Sequence, residues 1–176
     1  MRRLLAFEHI LHSNTVQEEY EDFQLNLELH NEHKQDVETH EPLVNGPKEK
    51  AAKKQNAVGV SYPRNYAESV EAKKRANYSC EISNGHETFK NAADHQNYIE
   101  AHHLIPMAAQ DYYKYTIDFA DNIVTLCPTC HRQIHYAVPD EKAELLEKLF
   151  NERQNNYMKY GIDIDLTRLK NFYGLL

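Results

Sequence analysis

Cys127-Pro128-Thr129-Cys130-His131-Arg132-Gln133-Ile134-His135 places four metal-ligating side chains within nine residues. They cannot all serve one ion. A CxxC knuckle turns both sulfurs toward one point, whereas His131 and His135, four apart on the helical segment expected after Cys130, share one face. Cys130 and His131, neighbours on a helical turn, diverge by about 100°. The stretch therefore predicts two separate sites, one of thiolates and one of imidazoles.

Tetrahedral zinc in the thiolate site needs two more ligands. The remaining cysteine of the chain is Cys80, and His86 follows it across the turn Ser83-Asn84-Gly85. Cys80, His86, Cys127 and Cys130 are the expected structural zinc set, with His95 or Asp94 as substitutes for His86. Three cysteines cannot all pair with one another, and a CxxC beside eleven histidines points to metal before disulfides. For the imidazole site, a metalloprotease HExxH is excluded because Arg132 stands where the glutamate is needed. A zinc finger is excluded because about a dozen residues must separate its second cysteine from its first histidine. Here there are none. The further partners lie upstream, in Glu100-Ala101-His102-His103-Leu104-Ile105-Pro106 and at Asn122.

A histidine pair on a predicted strand (98–104), an asparagine opening a second predicted strand (122–126) and CxxCHxxxH together resemble the HNH endonucleases, the His-Me finger or ββα-metal superfamily. The resemblance spans about residues 63–173. Cys80-Glu81 with His86 and Phe89, and Tyr98 through Pro106, look most like the branch found in bacterial modification-dependent restriction and defence nucleases. Many HNH proteins carry a second cysteine in the first knuckle, and Ser83 stands there in this chain.

The resemblance implies an α+β fold, a zinc-stapled ββα-metal core with flanking helices, and metal-dependent hydrolysis of phosphodiester bonds in double-stranded DNA. It implies structural Zn2+ and a catalytic divalent ion (Mg2+, Mn2+, Ni2+ or Zn2+) held by His102, His131 and His135. His103 would take the proton of the attacking water, and Asn122 would orient its ring. Successive strand residues face opposite ways, so His102 and His103 have different tasks. His103 is assigned as base because it stands three residues before Pro106, with the exchange of the two as the alternative. A setting in restriction or anti-phage defence follows, with a protein partner such as a defence-system ATPase, or a second copy of the chain. The competing reading is a catalytically silent zinc module that binds nucleic acid or a protein.

Charge divides the rest of the chain. The whole net charge of -7 falls in residues 1–45, where three basic side chains face ten acidic ones; residues 46–75 then carry eight basic against three acidic. We read 1–45 as an acidic extension, 46–62 as a basic linker and 63–176 as the nuclease domain. Phe23-Gln24-Leu25-Asn26-Leu27-Glu28-Leu29 alternates as a strand does, so the extension is expected to complete the fold, dock a partner or cover the basic arm. Lys50, Lys53, Lys54, Lys73, Lys74 and Arg75 are the expected phosphate contacts. Asn65 and Glu68 predict a capping box opening a helix with Tyr66, Val70 and Ala76 on its apolar side. Pro139 should interrupt the next helical run, Gly161 close it, and Asp165 cap a last one. No apolar run approaches the roughly 20 residues of a membrane span, and Glu8 breaks the only signal-like start, so a cytoplasmic protein is expected. His9, His12, His30, His33, His40 and His95 are read as surface or core groups.

Overall fold

The computed structural model describes residues 42–175 apart from 57, 58 and 93, together with Tyr20, Phe23 and Asn26. At its centre is a two-stranded antiparallel sheet, β3 (Glu100–His103) on β4 (Ile123–Leu126), in the register His102 opposite Val124 and His103 opposite Ile123. β4 is Ile-Val-Thr-Leu, rich in β-branched residues and buried along its whole length, as a strand covered on both faces must be.

Helix α1 (Tyr66–Arg75) lies on one side of this sheet, with Ala72, Ala101, Ala120 and Ile123 forming the small apolar cluster between them. Helix α2 (Pro128–Tyr136) follows β4 at once. Cys127 caps it by accepting the Cys130 N–H on its sulfur, and Pro128 occupies the first turn, where its missing N–H costs nothing. The helix thus begins before Cys130, earlier than the sequence suggests, because the knuckle itself is its first turn.

Pro139 opens helix α3 (Pro139–Asn151), whose Leu146, Leu149 and Phe150 join Ile105, Ile117, Phe119 and Ile134 in the main core, with Leu145 buried beside them. After α4 (Gln154–Tyr157) and a 3-10 turn, Gly161 sits at φ +70. A Cβ there would meet the Tyr115 ring at 2.7 Å, so backbone conformation and space both require glycine. Asp165 caps α5 (Leu166–Phe172) through the Arg168 N–H.

Four expectations need correction. Phe23 and Asn26 are helical, and Phe23 is exposed while Asn26 is buried, so the extension does not run as a strand through them; Leu25, Leu27 and Leu29 lie outside the described residues. Asn65 does cap α1, accepting from Ala67 N–H, but Glu68 makes no capping box. Its two oxygens instead accept the N–H groups of Val44 (2.6 Å) and Ala120 (2.7 Å). The buried face of α1 is consequently Ala67, Glu68, Ser69, Ala72 and Lys73, with Tyr66 exposed and Val70 half-buried. Finally, the stretch read as a linker carries backbone pairing: β1 (Lys54–Asn56) and β2 (Gly59–Ser61) form a hairpin, and Thr116 N–H donates to the Lys48 carbonyl at 2.8 Å. Among the described residues no helix is long and apolar enough to cross a membrane.

Candidate active site

Two sets of ligand atoms converge, each lying within 4.8 Å of one another: Cys80, His86, Cys127 and Cys130 in one, His102, His131 and His135 in the other. The two sets meet at α2. Cys127 and Cys130 cap its start while His131 and His135 line the face turned to β3, which is how a single nine-residue stretch serves two centres.

In the thiolate set, His86 is brought over by the turn in which its N–H donates to the Ser83 carbonyl, and its Nδ1 lies 3.7 Å from Cys127 Sγ and 3.4 Å from Cys130 Sγ. His95 and Asp94 are not in the group. Burial opposes charge on Cys80, but N–H groups of the surrounding backbone and His86 outweigh it and bring its thiol down to about 7. Cys130 is pushed the opposite way by burial and by the sulfurs of Cys127 and Cys80. Three crowded thiols that cannot all ionise on their own, beside one imidazole, are a donor set suited to neutralisation by a zinc ion. The cluster staples the loop after α1 to the start of α2, and the ion pair between Arg153 and Glu81 ties the same loop to the C-terminal helices.

In the imidazole set, His131 Nδ1 lies 2.6 Å from Glu100 Oε2, and its Nε2 faces His135 Nε2 at 3.2 Å. Glu100 is held below its ordinary value: burial opposes this, but the hydrogen bonds from His131 and Tyr98 and the nearby Lys73 charge outweigh it. A carboxylate behind a histidine fixes the tautomer and leaves the other nitrogen free to ligate, the usual arrangement behind a metal-bound imidazole. His102 Nε2 contacts the Tyr173 hydroxyl at 2.8 Å, which also donates to the Leu104 carbonyl at 2.9 Å. All three histidines are nearly inaccessible to solvent. Three imidazoles gathered in one buried site are a donor set that suits a divalent cation.

His103 is not a member of this group and is 2% exposed, with partners of its own. Its Nε2 lies 2.8 Å from Asp118 Oδ1, and its Nδ1 lies 3.0 Å from Arg64 Nη1. A guanidinium can only donate, so Nδ1 carries the lone pair and the proton sits on Nε2, facing the carboxylate. Asp118 is fixed in turn by accepting the Asn65 N–H on its other oxygen. The ring is thus oriented by Asp118, not by Asn122. Asn122, fully buried, accepts Ile105 N–H (2.8 Å) and donates to the carbonyls of Ile105 (3.1 Å) and Ile117 (2.8 Å), closing the loop between β3 and β4. It acts on His103 indirectly, by setting the loop that presents Asp118.

Of the expected DNA contacts, Lys54 and Lys74 are exposed, and Lys50 and Lys53 stand over the Tyr62 ring at 5.6 and 5.1 Å. Lys53 also pairs with Asp111, and Arg75 with Glu71 and Asp121. Lys73 is 6% exposed, which removes it from any surface that meets phosphates; burial lowers its pKa to about 8. Sequence reasoning missed Glu100, Asp118, Arg64 and Tyr173. Glu100 was legible, two residues before His102 on the same strand face. The other three come from loops and a helix distant in sequence, with no motif to mark them.

Residues 83–137 match the family model for the HNH endonuclease. Over 57 residues the chain is 40% identical to the type IV methyl-directed restriction enzyme EcoKMcrA of Escherichia coli (strain K12), a match covering 32% of this chain and 18% of that protein. The matched segment runs from Ser83 to Ala137 and so contains His86, both strands of the sheet, the loop with Asp118 and all of α2. Here the residues, the geometry and the comparisons agree, and the chain carries an HNH endonuclease domain with a ββα-metal core.

Proposed function

We propose that this chain is a metal-dependent nuclease that hydrolyses phosphodiester bonds of double-stranded DNA, acting in the cytoplasm in restriction or anti-phage defence. The observation that carries it is the pair of adjacent histidines on β3: His102 joins His131 and His135 as one ligand group, while His103, held at Nε2 by Asp118, turns its Nδ1 lone pair to Arg64. His102, His131 and His135 would hold the catalytic divalent ion, and Cys80, His86, Cys127 and Cys130 the structural zinc. When bound, the catalytic ion supplies charge stabilisation at the phosphate and the leaving oxygen.

The protein's own part is proton handling and orientation. His103 Nδ1 accepts a proton from the attacking water as general base, and Asp118 stabilises the imidazolium formed, since its carboxylate already faces Nε2. Arg64 occupies Nδ1 at rest. A phosphate drawn to that guanidinium frees the lone pair for water, so substrate binding uncovers the base. Glu100 and Tyr173 keep two of the ligating rings in place. Lys50, Lys53, Lys54 and Lys74 give the backbone contacts that the acidic remainder lacks. Partners, whether a defence ATPase or a second copy of the chain, belong to the same proposal.

The decisive experiment is nicking of supercoiled plasmid across a panel of divalent metals with an EDTA control. Wild-type protein is expected to cleave and His103→Ala to be inactive with its fold and DNA affinity kept. Cleavage by His103→Ala at the wild-type rate rejects the mechanism. Zinc-loaded wild-type protein that binds DNA but never cuts it favours the silent zinc module.

A further inference from the structure

Ala101 immediately precedes the two histidines of β3 and is fully buried, so its backbone N–H and C=O have no water to turn to. Both are taken by one side chain from far away in the sequence. Asn26 Oδ1 accepts the Ala101 N–H at 2.9 Å, and Asn26 Nδ2 donates to the Ala101 carbonyl at 3.2 Å. This is what a neighbouring strand would offer, condensed into one amide. The amide's orientation is set independently, because Lys73 Nζ, which can only donate, lies 3.4 Å from the same Oδ1. Asn26 is itself 3% exposed, whereas Tyr20 and Phe23, helical like it, are exposed.

A two-stranded ribbon is marginal alone, and a register held on only one side lets its edge strand shift. The consequence is largest here because the next residue is a ligand of the imidazole group and the one after it is the base.

We propose that Asn26 is a positioning residue of the nuclease site, a one-residue third strand that clasps β3 at Ala101 and sets His102 and His103 in place. The acidic extension is then a working part of the catalytic domain and not only a tail attached to it. This rests on reading His102, His131 and His135 as a divalent-ion site.

The test uses full-length, zinc-loaded protein and two variants. Asn26→Asp is isosteric and keeps the acceptor for Ala101 N–H and Lys73, but sets a carboxylate oxygen against the Ala101 carbonyl. Asn26→Ala removes both contacts. Co2+ binding is read by its d–d absorption, with absence of thiolate-to-cobalt absorption confirming that zinc stays in the cysteine site; kcat and KM for plasmid cleavage are measured alongside. Both variants should bind Co2+ about tenfold more weakly, in line with loss of a group that orients a ligand. They should also lower kcat by a similar factor with KM nearly unchanged. Asn26→Asp, compensated by Lys73, should keep its melting temperature, and it decides the matter if Asn26→Ala does not fold. Wild-type Co2+ affinity and kcat in Asn26→Asp overturn the proposal, as does a lowered melting temperature in Asn26→Ala with both parameters intact. If no form of the protein cleaves DNA while Co2+ affinity still drops in Asn26→Asp, the nuclease reading fails and the clasp stands.

Discussion

At the scale of single residues, the proposed mechanism separates groups that would act on the substrate from groups that hold them. His103 and Asp118 form a buried pair in which the carboxylate selects the tautomer. Asp118→Asn keeps the shape, but an amide that turns its NH2 toward Nε2 favours the wrong tautomer. We expect kcat to fall by about 10²- to 10⁴-fold with the melting temperature little changed, by analogy with buried carboxylates behind catalytic histidines. Steady-state plasmid cleavage beside a thermal melt checks this, and an unchanged kcat removes Asp118 from the mechanism. Asn122→Ala should behave in the opposite sense. It strands three buried backbone groups, each costing about 1 to 3 kcal/mol when unsatisfied, so unfolding in urea should shift by at least about 3 kcal/mol. A variant that melts like the wild type would show that the loop does not depend on this amide.

At the scale of elements, α2 and α1 show how few residues decide a great deal. The first turn of α2 carries the thiolate knuckle, so the helix that supplies His131 and His135 is anchored through Cys127 and Cys130. Purified protein should contain about one tightly bound zinc per chain, because a structural site of this kind contributes on the order of 10 kcal/mol inseparable from folding. Cys127→Ser should give unfolded or insoluble protein; a folded, soluble sample without zinc by metal analysis would contradict the assignment. Helix α1 buries a charge instead of an apolar stripe. Lys73 has a folded pKa of about 8, below the roughly 10.4 of an unfolded chain. The unfolded state therefore binds more protons between these values. The Lys73 contribution to stability is complete above the unfolded value and is lost as pH falls through about 8. Relative to Lys73→Met, the wild type should gain on the order of 3 kcal/mol between pH 7 and pH 10, read from urea midpoints under reducing conditions. A difference between the two proteins that stays constant over that range would show that the amine is not desolvated.

For the whole molecule, the charge distribution sets where the proposed DNA contacts lie. The hairpin of β1 and β2 and the chain before it carry Lys50, Lys53 and Lys54, the first two over Tyr62 and the last exposed. Replacing the three by alanine should lower the slope of log affinity against log salt by roughly 0.9 per lost contact, whatever the DNA sequence. An unchanged slope would place the DNA elsewhere. Removing residues 1–45 tests whether the acidic extension covers this arm, through tighter non-specific binding, or supports the fold, through a lower melting temperature.

What the sequence by itself determined is the part governed by short-range geometry. Spacing within 127–135 separates two ligand groups, because knuckle and helix directions follow from a few bonds. The strand pair, the caps at Asn65 and Asp165 and the break at Pro139 are equally local, and all of them are in the structure; the helix expected to run on to Gly161 instead ends at Asn151, and Gly161 closes a 3-10 turn. Tertiary structure alone decided which polar groups are buried and what they meet. Glu68 and Lys73 look like a solvated helix face until backbone N–H groups from Val44 and Ala120, and the amide of Asn26, arrive to satisfy them. Asp118 and Arg64 reach His103 across separations of 15 and 39 residues. No periodicity records such meetings, because a hydrogen bond between distant residues costs chain entropy that only the rest of the packed core repays, and that core is a property of the whole chain.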